Sequence, residues 1–226
     1  MMDARTLILE RLRARLGHDT ASPATMQAKR REIAGRIAAP PAHPIPARSR
    51  VGDAARRDLF IRMAEKAKAS VTRLATAAAV PEILGGVLDE RGFGRHLLAT
   101  REAQILALPW ALAGLSLHHG RGNGTTQASV ALAVAGVAET GSLLFISAPE
   151  SPMTVQLLCD LHCVLLLESR IFGTMEEALA DLRAVRPDLP AAVTFVTGPS
   201  RTADIEQQMQ LGAHGPRELR IYLAEG

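Results

Sequence analysis

Apolar positions recur along the chain in two rhythms, one of about 3.6 residues and one of about two. Leu7, Ile8, Leu12 and Leu16 line one stripe of a helix over residues 3–17, with Gly17 as its stop. Residues 24–38 form a second helical stretch. The rhythm breaks at APPAHPIPARSRVG, where four prolines within residues 40–46 remove backbone donors and favour extended chain. That stretch reads as a linker. The chain therefore divides into a basic helical extension with its Pro-rich linker, residues 1–50, and a compact domain, residues 51–226.

Beyond Asp53 helical and extended patterns alternate. Residues 54–68 and 80–92 predict helices, the second with Pro81 near its start, while ASVTRLAT (69–76) and GRHLLAT (94–100) predict strands. The Ala-rich run TTQASVALAVA (125–135) fits either rhythm, and periodicity does not decide it. GSLLFIS (141–147) predicts a strand after a tight Thr-Gly turn, SPMTVQLLCD (151–160) a short helix, and HCVLLLE (162–168) a buried strand. Thr174, with Glu177 three residues on, is a capping box that opens the helix TMEEALADLRAV. AAVTFVT (191–197) predicts another buried strand, and LRIYLA (219–224) a last one. Strands alternating with helices argue an α/β domain with a mostly parallel sheet flanked by helices. No internal repeat is visible.

Composition narrows the classes. A length of 226 residues suits one domain with an appended piece. Aromatics are only 3%, so aliphatic side chains must supply nearly all the core. The same scarcity counts against single-strand nucleic-acid binding, which needs stacking platforms. No apolar run reaches the length of a membrane span. The opening MMDARTLILERLRARLG has neither an uninterrupted apolar centre nor a small-residue cleavage site, so a cytoplasmic location is expected. Residues 1–68 hold 15 of the 26 Lys and Arg but 7 of the 23 Asp and Glu, a balance of +8 against −5 for the rest. A basic arm suits nucleic acid, a membrane surface or an acidic partner. A solvated extension or a protein partner is favoured here over nucleic acid.

Two cysteines, Cys159 and Cys163, flank His162. Two thiols cannot supply the four ligands of a structural zinc or an iron–sulfur cluster. A metal site from Cys159, His162 and Cys163 lacks the usual spacing signature, and small apolar residues near a strand entrance are the favoured reading. No metal and no cofactor is expected on this chain.

The densest polar chemistry lies in VTGPSRTADIEQQMQLGAHGPREL, residues 196–219. A buried strand is expected to end at Thr197, Gly198-Pro199 to turn the chain, and Ser200, Arg201 and Thr202 to follow at the carboxyl end of that strand, where open α/β sheets bind ligands. Asp204 then caps a short helix ending at Gly212, and His214 sits in a tight loop. Backbone N–H groups, two hydroxyls and a guanidinium at one helix N-terminus suit a small carboxylate or phosphate. The competing reading is a turn in which Ser200 and Thr202 cap the helix and Arg201 pairs with Asp204 or Glu206. A second constellation is AETGS, 138–142, where Glu139 sits among small apolar residues beside the Thr140-Gly141 turn. Such a carboxylate serves as a general base or nucleophile, or as a structural acceptor for a turn amide or Arg201. GRGNG, 120–124, lacks the strand-to-helix context of a dinucleotide site and reads as a flexible loop.

VAETGSLLF, LHCVLLLE, TMEEALADL, GPSRTADIE and GAHGPRELRIYL, in this order and spacing, resemble the lactate-utilization (LUD) domain family over roughly residues 50–226, most strongly from Ala138 onward. The resemblance implies a fold similar to the sugar-phosphate isomerases and CoA transferases. It also implies a subunit or accessory protein of L-lactate oxidation to pyruvate, beside partner proteins that carry iron–sulfur cysteines. The matching positions are Glu139, Thr140, Gly141, His162, Ser200, Arg201, Thr202, Asp204, Glu206, His214 and Gly215. LCDLHC replaces a Pro-rich approach to the strand-opening His, and SAPESPMTVQLL lacks a basic residue often found after the ETG turn. The alternative is a stand-alone enzyme on a transferase-like fold, using Glu139 on an acyl or phosphorylated small molecule.

Overall fold

The structure is a computed structural model that describes residues 3–16, 22–39, 44–186, 188, 190–202, 210–211 and 215–225. Its contacts divide the chain into Met1–Pro44 and Ile45–Gly226. The first unit holds α1 (Ala4–Arg15) and α2 (Pro23–Ala38), neither of which buries a residue. Ser22 caps α2 by accepting from the Thr25 amide at 3.2 Å, with Pro23 at the first helical position, where a missing N–H costs nothing.

The second unit opens with α3 (Asp53–Lys66), β1 (Ser70–Leu74), α4 (Val80–Arg91) and β2 (His96–Ala99), close to the sequence expectation. A four-residue helix α5 (Ala103–Leu106) leads to β3 (Ser116–His118), and β4 (Ala128–Leu132) follows. The ambiguous Ala-rich run is thus a strand. Its neighbours bury it on both faces, Ala128 and Val130 in one core and Ala131 in another, where a short side chain fits a close layer spacing. Then come β5 (Ala135–Val137), β6 (Ser142–Ile146), α6 (Thr154–Leu157), β7 (Leu161–Leu167), β8 (Ile171–Phe172), α7 (Met175–Val185), β9 (Val193–Val196), β10 (Arg201–Thr202), β11 (Gln210–Leu211) and β12 (Glu218–Ala224). The predicted box at α7 is present. Thr174 Oγ1 accepts from the Glu177 amide, and Glu177 Oε2 reaches back to the Gly173 amide at 2.7 Å. Among the described residues no helix is long and apolar enough to cross a membrane.

Six strands form one all-parallel sheet in the order β1-β12-β7-β4-β2-β3. A second sheet, β8-β5-β6-β9, is mainly antiparallel and lies over one face of the first. Period-two alternation sorts the core. Leu161, Cys163 and Leu165 of β7 face α4 with Leu84 and Leu88, while Val164 and Leu166 face Phe60 of α3 and Phe145 of β6. The outer face of the second sheet, through Val137 and Leu144, is closed by Ala178 and Leu182 of α7. The sequence reading missed this second sheet, because β5 and β8 have only three and two residues. AAVTFVT is not a buried central strand. β9 is a half-buried edge strand, paired to β6 alone among the described residues.

The β5–β6 hairpin presses on α3. Gly141 takes φ +67°, and a Cβ there would fall on the backbone of Met63 and Ala64. Both the conformation and the space demand glycine. Gly141→Ala is expected to lower the unfolding free energy by about 3 kcal/mol or more in urea titration. Gly86→Ala, exposed within α4 with nothing near its Cβ position, is expected to raise it by roughly 0.5–1 kcal/mol. Equal effects of the two would contradict this packing.

Candidate functional site

Residues that the sequence singled out meet at one edge of the second unit. The Glu139–Gly141 turn joins β5 to β6, and Gly198, at φ +74°, follows β9 against the Ala67 carbonyl at the end of α3. A chain of hydroxyls ties the two turns together, with Thr140 Oγ1 2.7 Å from Ser142 Oγ and Ser142 Oγ 2.6 Å from Thr197 Oγ1. The Ser200 amide donates to the Pro216 carbonyl at 2.8 Å, and Gly215 lies against the Ser200 side chain. Thr197, Gly198, Ser200 and Gly215 border an open cleft of about 490 Å³ walled by Ala67, Leu157 and Phe195. Glu139 is half-buried. Its amide donates to the Gly173 carbonyl, and its Oε2 accepts from the Ser49 hydroxyl at 3.2 Å.

The surroundings of Ser200 differ from the sequence expectation. The strand before it belongs to the second sheet and runs antiparallel to β6, so it delivers Ser200 beside Pro216, at the amino end of β12. The carboxyl ends of the parallel strands lie at the opposite edge. The expected helix does not extend through Gln210 and Leu211, because their backbones pair antiparallel with Thr202 and Arg201. Asp204, Glu206 and His214 lie outside the described residues.

At the carboxyl edge, β2 leads through α5 to β3 on one side, while β4, on its other side, leads into the second sheet. Such a reversal of connection opens a crevice where α/β proteins hold ligands. A cavity of about 300 Å³ occupies it, lined by Glu102, Val134, Ile146, Ser151, Arg170 and Arg186 among others. Arg170 is fixed. Its Nε donates to the Val134 carbonyl at 3.1 Å, its two terminal nitrogens pair with the Asp181 carboxylate, and its guanidinium lies 5.1 Å from the Phe172 ring centre. Glu102 Oε2 and Thr100 Oγ1 are covered and lack hydrogen-bond partners among the described residues. None of these residues was singled out from sequence. Glu102 and Arg170 each lie three residues beyond a strand's end, which is the signal that would have found them.

Cys159, His162 and Cys163 do not converge on one point. Cys163 enters the core shared with Leu165 and Tyr222, whereas His162 tilts against Phe145 on the other face, with ring centres 5.8 Å apart. His162 Nδ1 lies 2.8 Å from Ser129 Oγ, which donates to Cys159 Sγ at 3.1 Å, and that thiol in turn faces the Val155 carbonyl. The chain closes if Nδ1 carries the proton and donates to Ser129, leaving Nε2 as an unpaired acceptor. Burial pushes the Cys159 thiol up to about 11, raises Cys163 further, and pulls His162 down to about 3. Both cysteines are therefore protonated thiols, and the imidazole is neutral.

On unfolding, His162 regains its ordinary value of 6.5, so the unfolded state binds a proton that the folded state refuses. This contribution to stability is complete above pH 6.5 and is lost as pH falls toward about 3. Urea midpoints measured from about pH 7 to about pH 4.5 are expected to fall more steeply for the wild type than for His162→Asn. Parallel lines would contradict a buried neutral imidazole. Iodoacetamide at about pH 8 is expected to modify neither thiol in the native chain and both in denaturant.

Residues 57–224 match the LUD domain family. An uncharacterized protein of Neisseria meningitidis serogroup B is 38% identical over 86 residues, which cover 38% of this chain and 37% of that protein. Lactate utilization protein C of Bacillus licheniformis is 30% identical over 92 residues, covering 39% of this chain and 38% of that protein. The protein of that name from Exiguobacterium is 28% identical over 143 residues, covering 58% and 61%. The chain thus spans less than two fifths of the length of the first two relatives. The crystal structure of a DUF162 family protein from Deinococcus radiodurans is similar in fold, with a TM-score of 0.56 and 18% identity over 77% of this chain and 99% of that one. By the extent of the match, this chain belongs to the LUD domain family.

Proposed function

We propose that this chain takes part in L-lactate utilization as a member that binds rather than oxidises, beside partner proteins that carry iron–sulfur clusters. The observation that carries the reading is its family membership, together with its likeness to proteins named lactate utilization protein C. Chemistry supports the division of labour. Removing a hydride or electrons from lactate needs an acceptor. This sequence has no dinucleotide fingerprint, and its two cysteines are protonated and buried in the domain. They fall short of the four thiolates a cluster takes.

In this reading the residues that bind a small carboxylate or phosphate are Thr140, Gly141, Ser200, Arg201, Thr202, Asp204 and His214. The hydroxyl link from Ser142 to Thr197 and the approach of Gly215 to Ser200 support it. The Ser49 hydroxyl on Glu139 favours a positioning role for that carboxylate over attack on a substrate.

A strain lacking the chain, and with no second lactate dehydrogenase, is expected to fail to grow on L-lactate. Purified chain alone is expected to give no dye-linked lactate oxidation, and activity is expected on mixing with the iron–sulfur partners. Normal growth would overturn the pathway assignment. Robust oxidation by the chain alone would overturn the binding role, and turnover of an acyl-CoA would favour a stand-alone transferase instead.

A further inference from the structure

We propose that α1 and α2 seat the chain on an anionic lipid surface. Seven of the twelve large apolar side chains exposed among the described residues lie on or at the end of these two helices, and neither helix buries any residue. Each helix also carries four basic residues against one acidic, a balance of +6 for the two together. None of these eight cations forms an ion pair among the described residues. Helices of 12 and 16 residues are marginal in water when nothing covers them, and Gly35 weakens the second further. What covers them must therefore offer an apolar layer and negative charge together.

The two helices repeat one cross-section. In α1, Ile8, Leu12 and Leu16 succeed one another at four-residue spacing and form one row, with Arg15 along one border and Arg13 along the other. In α2, Met26, Ile33 and Ile37 form the row, with Lys29 and Arg36 along one border and Arg30 along the other. An aliphatic row between cations suits the boundary of headgroups and acyl chains. The row enters that boundary, while the long basic side chains lift their charges back to the phosphates. A basic cluster on helices of this kind is what an anionic leaflet attracts. Other occupants match only part of the pattern. A nucleic acid takes the cations and leaves both aliphatic rows in water. A second copy sets like charge against like. A protein groove reads one row in one register, whereas two different sequences here present the same section, which a fluid surface accepts in any register.

The test is co-sedimentation of the purified full chain with vesicles of phosphatidylcholine alone, and with vesicles of phosphatidylcholine mixed with phosphatidylglycerol. The mixed vesicles are expected to bind the chain about tenfold or more tighter, and about 0.5 M salt is expected to weaken that binding. Leu12→Ser and Arg13→Glu, both at exposed positions, are each expected to weaken it about threefold or more. Arg183→Glu makes the same change of charge on the exposed end of α7 and is expected to leave it unchanged. A fold disturbed by either α1 substitution would show as a lowered urea midpoint, and Leu16→Ser or Arg15→Glu then takes its place. Binding to neither vesicle, equal binding to both, binding that the leucine substitution leaves whole, or an equal loss with Arg183→Glu would overturn the proposal. Binding to polyuridylate but to neither vesicle would overturn it in favour of nucleic acid.

Discussion

Strand β7 pairs with β4 along one edge and with β12 along the other, while α4 covers one of its faces and α3 with the second sheet covers the opposite one. It has no solvent-facing side. Its residues are therefore apolar save His162 and Cys163, and the imidazole must find its partner inside the protein. That demand explains the Ser129–His162–Cys159 set, and burial of the same run holds the layers together. The second sheet can lie on β7 because Ala131 and Gly136 leave room for Phe60 and Leu166 between the layers. Replacing His162 by a charged group would place an unpaired charge in that interior, which folded chains avoid.

The parallel arrangement also polarises the molecule. All six strands of the main sheet end at one edge, and the connections leaving β2 and β4 diverge there to open the cavity with Arg170 and Glu102. Conspicuous motif residues gather at the other edge. ETG, GPS and the Gly215-Pro216 pair close turns against the end of α3 and the start of β12. Their glycines answer to backbone geometry and their hydroxyls to one another, so a motif that looks chemical in sequence is at least partly a clamp.

Much of the fold was legible because its longer elements obey one rhythm each. Residues 162–168 and 219–224 read as buried strands, and Thr174-x-x-Glu177 marks a helix start wherever it occurs before an apolar run. TTQASVALAVA stayed undecided because alanine satisfies both periods, and only its burial on two faces settles it. The second sheet was hidden by strands too short to show a period. β9 misled because VTFV is β-branched or aromatic at every position yet sits at a sheet edge, half-covered. That single misplacement moved Ser200 to the wrong end of the parallel sheet. The cavity was illegible for a different reason. Glu102, Ser151, Arg170 and Arg186 come from four separate loops or helix ends, and nothing local in any of them announces the others.

The position of β12 has a kinetic consequence. Ser70 of β1 pairs with Arg220, and β12 fills a slot between β1 and β7, two strands made much earlier in synthesis. Until Glu218–Ala224 emerges from the ribosome, both neighbours keep a bare edge of unpaired amides and carbonyls flanked by leucines. Such edges recruit foreign strands, and closure over so long a stretch of chain is slow. The nascent protein therefore passes through a sticky, unfinished stage before β12 is made, and there a holdase would have the most to shield.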